Sequence, residues 1–361
     1  HGFLLLCLCV RVIVRLCYRV IVLLLNNAHS TFAPKHINTS TYFHKCTTKM
    51  EVTKLGRSPK IVVLDGYTLN PGDLSWEQLH AIGQIAEDSD IILSNKSIID
   101  KALIEQLLKL KCICVLATGF NNIDIEAARK RQIAVCNAVG YGSDSVAQHV
   151  FALLLELTNK VGPHNESVQQ GEWARSRDFS YSLSPIQGLA GKTFGILGFG
   201  KIGQKVGEIA RGFGMKVISS HRHPERDARP WVEFVGLETL FSKSDVLSLH
   251  APLTEETHEI INKKNLKRMK KSAFLINTGR GGLVNEAELK TALEEETLAG
   301  AGLDVLSKEP PPVDHILYNT KNCIITPHNA WANRDARQQL LEITIENIKA
   351  FLEGNPQNLV W

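Results

Sequence analysis

Three loops in the last third of the chain each carry one side chain of a different chemical kind. They are "NTGRGGLVNEAEL", "GLDVLSKEPPP" and "ITPHNAWA", and they supply the guanidinium of Arg280, the carboxylate of Glu309 and the imidazole of His328. Each loop follows an apolar run of strand type, and open α/β sheets bind ligands outside the carboxyl ends of their strands. Of the three groups only an imidazole titrates near neutrality, so His328 is the candidate to hand a proton to a developing alkoxide. Glu309 would hold that ring and favour its charged form. Arg280 would clamp a substrate carboxylate and polarise the neighbouring carbonyl. Taken singly, each has a plainer reading: a solvated loop arginine, a strand-ending glutamate, a hydrogen-bonding loop histidine. Their joint placement after successive strands points to reduction of a 2-keto acid, provided that a hydride donor is at hand.

The donor has its own signature. Gly198-Phe199-Gly200-Lys201-Ile202-Gly203 fits G-x-G-x-x-G, with the strand "TFGIL" before it and an amphipathic helix after it. In such a motif the first glycine permits the tight turn, the second lets the backbone approach pyrophosphate, and the third allows helix to pack on strand. The next strand, "KVISS", ends at His221-Arg222-His223, where an NAD-binding unit offers a carboxylate to the adenosine ribose. His221 cannot accept the ribose hydroxyls in that way, and Arg222 presents a fork suited to a 2′-phosphate. NADP(H) is therefore the preferred cofactor on this reading, with NAD(H) possible. The alternative is that these are solvated loop residues indifferent to the cofactor.

The elements that must position these groups alternate short β-rich runs with helical segments from residue 60 onward, which predicts parallel sheets covered by helices. Strands are expected at 60–65, 90–94, 112–117 and 133–137, then at 193–197, 216–220, 245–250, 273–278, 300–305 and 323–327, with a long apolar helix over 144–161 between the two sets and a closing helix over 333–353. The fold class is α/β with two doubly wound domains, a Rossmann-type cofactor domain and a smaller flavodoxin-like substrate domain. The division expected is an extraneous segment 1–57, a substrate domain 58–148, a dinucleotide-binding domain 149–328, and a carboxyl-terminal helix 329–361 returning to the substrate domain. Only "QIAEDS" separates Gly83 from Asp90, which leaves the first unit short by one βα pair.

The whole chain has 361 residues, 41 Lys plus Arg and 37 Asp plus Glu, a net charge of +4 that is too weak a bias to argue for nucleic acid or an anionic membrane. Of its eight cysteines four precede residue 50, and Cys112 and Cys114 lie in an apolar run, so no metal site is expected and the remainder reads as a reduced, cytoplasmic protein. Residues 3–25 are long enough to span a bilayer, yet Arg11, Arg15 and Arg19 offset the apolar side chains. Residues 1–49 hold no Asp or Glu, which also fits a transit peptide and a mitochondrial destination. The first methionine is Met50, and translated upstream sequence is the favoured reading; no membrane attachment is expected of the mature core.

Together, "GFGKIG", "NTGRGGLVNEAEL", "AGAGLDVLSKEPPP" and "TPHNAWA" resemble the D-isomer-specific 2-hydroxyacid dehydrogenases, from about residue 59 to the end. "KIVVLDGYTLNPGDLSWEQL", "VLATGFNNIDIEAAR" and "YGSDSVAQHVFALLLELT" look most like the glycerate dehydrogenases, or hydroxypyruvate reductases, of that family. The resemblance implies Arg280, Glu309 and His328 as the catalytic set. It implies Asp304 near the nicotinamide carboxamide, Lys201, Ile202 and Thr278 among the cofactor contacts, and Thr118 and Gly119 facing substrate and nicotinamide from the other domain. It also implies a homodimer whose arm is about 162–190. Asn329, Gly279 and the missing acid at His221 depart from the family pattern. The implied reaction is reduction of hydroxypyruvate or glyoxylate to D-glycerate or glycolate; a phosphoglycerate or D-lactate dehydrogenase, or a non-catalytic dinucleotide-sensing corepressor, are the alternatives.

Overall fold

Residues 58–360 are described by the computed structural model, apart from 82, 83 and 86–88, and for 84 and 85 the backbone alone. The expectations for residues 1–57 fall outside that range. One compact unit holds two all-parallel sheets. Their central strands are continuous apolar runs rather than alternating ones, because helices cover both faces: β3 (Ile91–Ser94) and β4 (Cys112–Val115) are buried at every position.

The first sheet runs β2-β1-β3-β4-β5, with β1 at Lys60–Val63, β2 at Gln84–Ile85 and β5 at Ala134–Cys136. This is a flavodoxin-like order, and it corrects the expectation that a whole βα pair is lost. The strand is present as two residues, Gln84 beside Lys60 and Ile85 beside Ile61, while Ile91 pairs with Ile61 from the other side. What the short segment lacks is length for a helix: five residues join Ile85 to Ile91. The sheet therefore keeps its five-stranded order with a curtailed edge, which costs little because an edge strand shields only one neighbour.

The second sheet runs β12-β11-β10-β9-β6-β7-β8, the doubly wound order of a dinucleotide-binding fold. Its strands are β6 (Thr193–Leu197), β7 (Lys216–Ser220), β8 (Val232–Phe234), β9 (Val246–Leu249), β10 (Phe274–Asn277), β11 (Gly300–Leu303) and β12 (Cys323–Ile325). The switch of strand order lies between β6 and β9, where the glycine turn emerges.

Two helices fix the sheets to each other. Helix Ser143–Asn159 lays Ala147, Val150, Phe151, Leu154 and Leu157 on the second sheet against Phe194, Ile196 and Ile276. Helix Arg334–Leu352 follows the second sheet in the chain but packs on the first, burying Leu340, Leu341, Ile345 and Ile348 against Ile61, Leu93 and Cys114. At about 1.5–3 kcal/mol for each large aliphatic side chain removed from water, this docking is strong. It is pinned by Arg337, which donates to both carboxylate oxygens of Asp73 at 2.7 Å and to the Leu69 carbonyl. The tail closes the β5 edge, where the N–H of Val360 donates to the carbonyl of Val135.

Candidate active site

Arg280, Glu309 and His328, drawn from the ends of β10, β11 and β12, line one cleft of about 170 Å³ with Leu253, Gly281 and Ser307. Glu309 Oε2 lies 2.6 Å from His328 Nδ1. A carboxylate only accepts, so Nδ1 carries the proton and Nε2 is left as the atom available to substrate. The second oxygen, Oε1, accepts the N–H of Leu306 at 3.0 Å. Burial pushes the Glu309 carboxyl up, but the hydrogen bond and charge of His328, the Leu306 N–H and the Lys96 ammonium together hold it below the usual carboxylate range. It is therefore an anion at neutral pH, in direct contact with Nδ1.

His328 sits in the left-handed region at φ 51°. Asp304 holds it there. This residue is 1% exposed, and its carboxylate accepts the N–H groups of Asn329 and Ala330 and the hydroxyl of Thr326, while its carbonyl accepts the N–H of His328. The visible work of Asp304 is thus to brace the turn behind the imidazole. His149, on the long helix, completes the brace, with Nε2 2.9 Å from Thr326 Oγ1 and 3.5 Å from Asp304.

Across the cleft stands the loop after β4. Gly119 lies so close to Arg280 that a Cβ there would stand 2.6 Å from Nη2. Thr118, beside it, is exposed and donates its hydroxyl to the Ala138 carbonyl at 2.8 Å. Tyr141, buried and pushed up to about 12 by that burial, feels the charge of Arg280. Gly119 is thus brought to the guanidinium and Tyr141 into its field, while His149 stands behind the His328 turn and Lys96 acts on Glu309; no local pattern singles out the last three. Lys96 is carried on a turn whose successive N–H groups at Asn95, Lys96 and Ser97 all donate to buried Asp65.

The glycine turn is built for a dinucleotide. Gly198 has φ +91°, and a Cβ on it would lie 2.6 Å from the Ala251 nitrogen; a Cβ on Gly203 would lie 2.3 Å from the Gly198 oxygen. These two are required by the protein's own packing. A Cβ on Gly200 would meet nothing within 4 Å, so the protein's own packing does not require a glycine there. Helix Lys201–Gly212 starts there with no side-chain cap on its first N–H groups, which leaves them for an anion. At the end of β10 the hydroxyl of Thr278 is buried with no hydrogen-bond partner. Open space and an orphaned donor fit a bound dinucleotide. Ile202 packs into the core beneath the turn, and the Lys201 ammonium would lie 3.3 Å from a Cβ on Gly140, at the junction of the two sheets.

At the end of β7 the structure divides the roles of the basic residues. The N–H of Phe199 donates to His221 Nδ1 at 3.0 Å, so that nitrogen bears no proton, and Nε2 donates to Asp227 at 2.7 Å. His221 is accordingly a neutral linker between the glycine turn and a carboxylate. Arg226 and then His221 hold Asp227 down to about 2. Arg222 is exposed and paired with Glu256 at 2.9 Å.

The model of the D-isomer specific 2-hydroxyacid dehydrogenase NAD-binding domain matches residues 151–330. A hydroxypyruvate reductase of Blautia hydrogenotrophica is 41% identical, over 83% of this chain and 99% of that protein. The chain belongs to the D-isomer-specific 2-hydroxyacid dehydrogenases. A glyoxylate reductase of Thermococcus litoralis is 44% identical over 73% of the chain and 80% of that protein. The TT0316 protein of Thermus thermophilus superposes with a TM-score of 0.74 at 34% identity, over 84% of this chain and all of that one. As a member of this family the chain is an oxidoreductase of 2-hydroxy acids that works with a nicotinamide dinucleotide, as its loops and glycine turn foretell.

Proposed function

We propose that this dehydrogenase reduces hydroxypyruvate or glyoxylate to D-glycerate or glycolate, with Arg280, Glu309 and His328 as its catalytic residues. The observation that carries the assignment is the 2.6 Å contact of Glu309 with His328 Nδ1 in a cleft shared with Arg280. When bound, the nicotinamide supplies the hydride that adds to the substrate carbonyl carbon. Arg280 holds the substrate carboxylate and draws electron density toward the carbonyl oxygen. As that oxygen gains the electron pair of the C=O bond, Nε2 of His328 gives up its proton, and Glu309 has kept the ring charged until that moment. The loop of Thr118 and Gly119 covers the substrate from the other side and excludes water.

Bacterial and archaeal relatives bearing the names hydroxypyruvate reductase and glyoxylate reductase support the substrate class. Following NADPH absorbance with hydroxypyruvate, glyoxylate, pyruvate and phosphohydroxypyruvate tests it; decay with the first two is expected. Decay with none of them, despite dinucleotide binding, would overturn the enzymatic reading.

The same proposal includes NADPH as the favoured cofactor, through Arg222, which stands free of the core on the ribose side of the glycine turn. It also includes a homodimer, because the segment 162–190 exposes Trp173 at 53%, Phe179 at 91% and Ile186 at 55%, an apolar arm that a second copy would cover. No helix among the described residues is long and apolar enough to cross a membrane, and Cys112, Cys114, Cys136 and Cys323 are free thiols; a cytoplasmic place of action is part of this reading.

A further inference from the structure

We infer that Glu286, with His315 behind it, is a positioning residue that sets the distance between Glu309 and His328. This rests on the catalytic reading above. Glu286 opens the helix Glu286–Glu294, six positions after Arg280. Its Oε1 accepts the N–H of Ser307 at 2.7 Å; its Oε2 accepts the Ser307 hydroxyl at 2.8 Å and faces His315 Nε2 at 3.1 Å. The N–H of Leu317 donates to His315 Nδ1, so the proton of that ring is on Nε2 and is given to the carboxylate. The Glu286 and His315 side chains are 11% and 6% exposed. Three donors to one nearly buried carboxylate make a strong, geometrically defined anchor.

What it anchors is the turn of Glu309. Ser307 follows Leu306, the N–H of which donates to Glu309, and precedes Glu309 by two residues. The same turn touches the Arg280 segment, since a Cβ on Gly281 would stand 1.9 Å from the Leu306 carbonyl carbon. Glu286 is not needed to cap its own helix: the Asn285 side chain already accepts the N–H of Glu288. Both of its oxygens are engaged outside the helix, tying the guanidinium-bearing turn to the carboxylate-bearing one. Of the charged and titratable groups near the pair, Glu309 alone hydrogen-bonds the ring; Arg280 lines the same cleft, Lys96 acts on Glu309, and Asp304 with His149 stands behind the backbone of the turn. If the Ser307 N–H loses its acceptor, the turn relaxes, the Glu309 contact lengthens, and the imidazolium loses its counter-charge.

The test is the pH profile of kcat/KM for hydroxypyruvate over about pH 6–10, read in Glu286→Ala, Glu286→Gln and Glu309→Gln. Thermal melting and NADPH binding by fluorescence are followed in parallel. Glu286→Ala is expected to move the alkaline limb down by about one pH unit and to lower kcat by about tenfold, with NADPH affinity unchanged. Glu286→Gln, which keeps an acceptor for the Ser307 N–H but not for His315, falls between it and the wild type. Should Glu286→Ala fail to fold, Glu286→Gln decides. A folded Glu286→Gln with the limb at its wild-type position and kcat intact would overturn the positioning role. If Glu309→Gln itself leaves the limb in place, it is the catalytic reading that falls.

Discussion

His328 combines two local costs, a left-handed backbone at φ 51° and partial burial of a group that must charge; such a conformation costs a non-glycine residue of order 1–3 kcal/mol and persists because surrounding bonds impose it. Here Asp304 imposes it. His328→Asn is expected to lower kcat by about 10²–10⁴-fold while leaving NADPH binding intact, as steady-state kinetics and fluorescence titration will show. At the other end of the cofactor the proposed preference for NADPH turns on Arg222 rather than on His221. Arg222→Asp is expected to raise KM for NADPH by about tenfold with little effect on NADH. Because an exposed pair is worth only about 0–1 kcal/mol, Glu256→Gln, which releases Arg222, should lower KM for NADPH by no more than a few-fold. An unchanged cofactor preference in Arg222→Asp would remove this residue from the account. The sequence shows an arginine and two histidines in a row; that one of those histidines is a neutral linker follows only from the Phe199 N–H that points at it.

Among the elements, the glycine turn separates stability from binding. Gly203→Ala places a Cβ 2.3 Å from a backbone oxygen and is expected to destabilise by about 1–3 kcal/mol, read as a lower midpoint in urea. Gly200→Ala meets open space, so its midpoint should match the wild type while dinucleotide affinity falls. Equal affinity in that variant would mean that the open space is not the cofactor's. The strands legible in the sequence were the long apolar ones flanked by turn residues. The two that pattern reading passes over, β2 with two residues and β8 with three, both lie at sheet edges. An edge strand has one partner and one sheltered side, so it needs no apolar run, and its pairing is supplied by a neighbour already in place.

For the whole molecule, acid should act through His250. Desolvation pushes this ring down to about 3 from an ordinary 6.5. A group with a depressed native pKa contributes stability that is complete above 6.5 and is lost as the pH falls toward 3, because the unfolded chain takes up the proton first. Urea midpoints measured across that window are expected to decline, and His250→Gln should flatten the decline. At the same scale the apolar arm predicts a dimer by light scattering, and Trp173→Glu with Phe179→Glu should yield monomers of unchanged melting profile in the core; a monomeric wild type would sink that expectation.

The reaction type and the two-sheet plan were determined by the linear chain itself, because both are written in local terms: a residue of given chemistry a few positions after a strand of given period. What the tertiary structure alone decided is how those residues meet. Gly119 and Tyr141 reach Arg280 from more than a hundred positions away, His149 and Asp304 brace His328 from different elements, and Glu286 secures Glu309 through Ser307. Such contacts depend on strand order and helix docking, and only folding, which packs the closing helix back on the first sheet, brings them together.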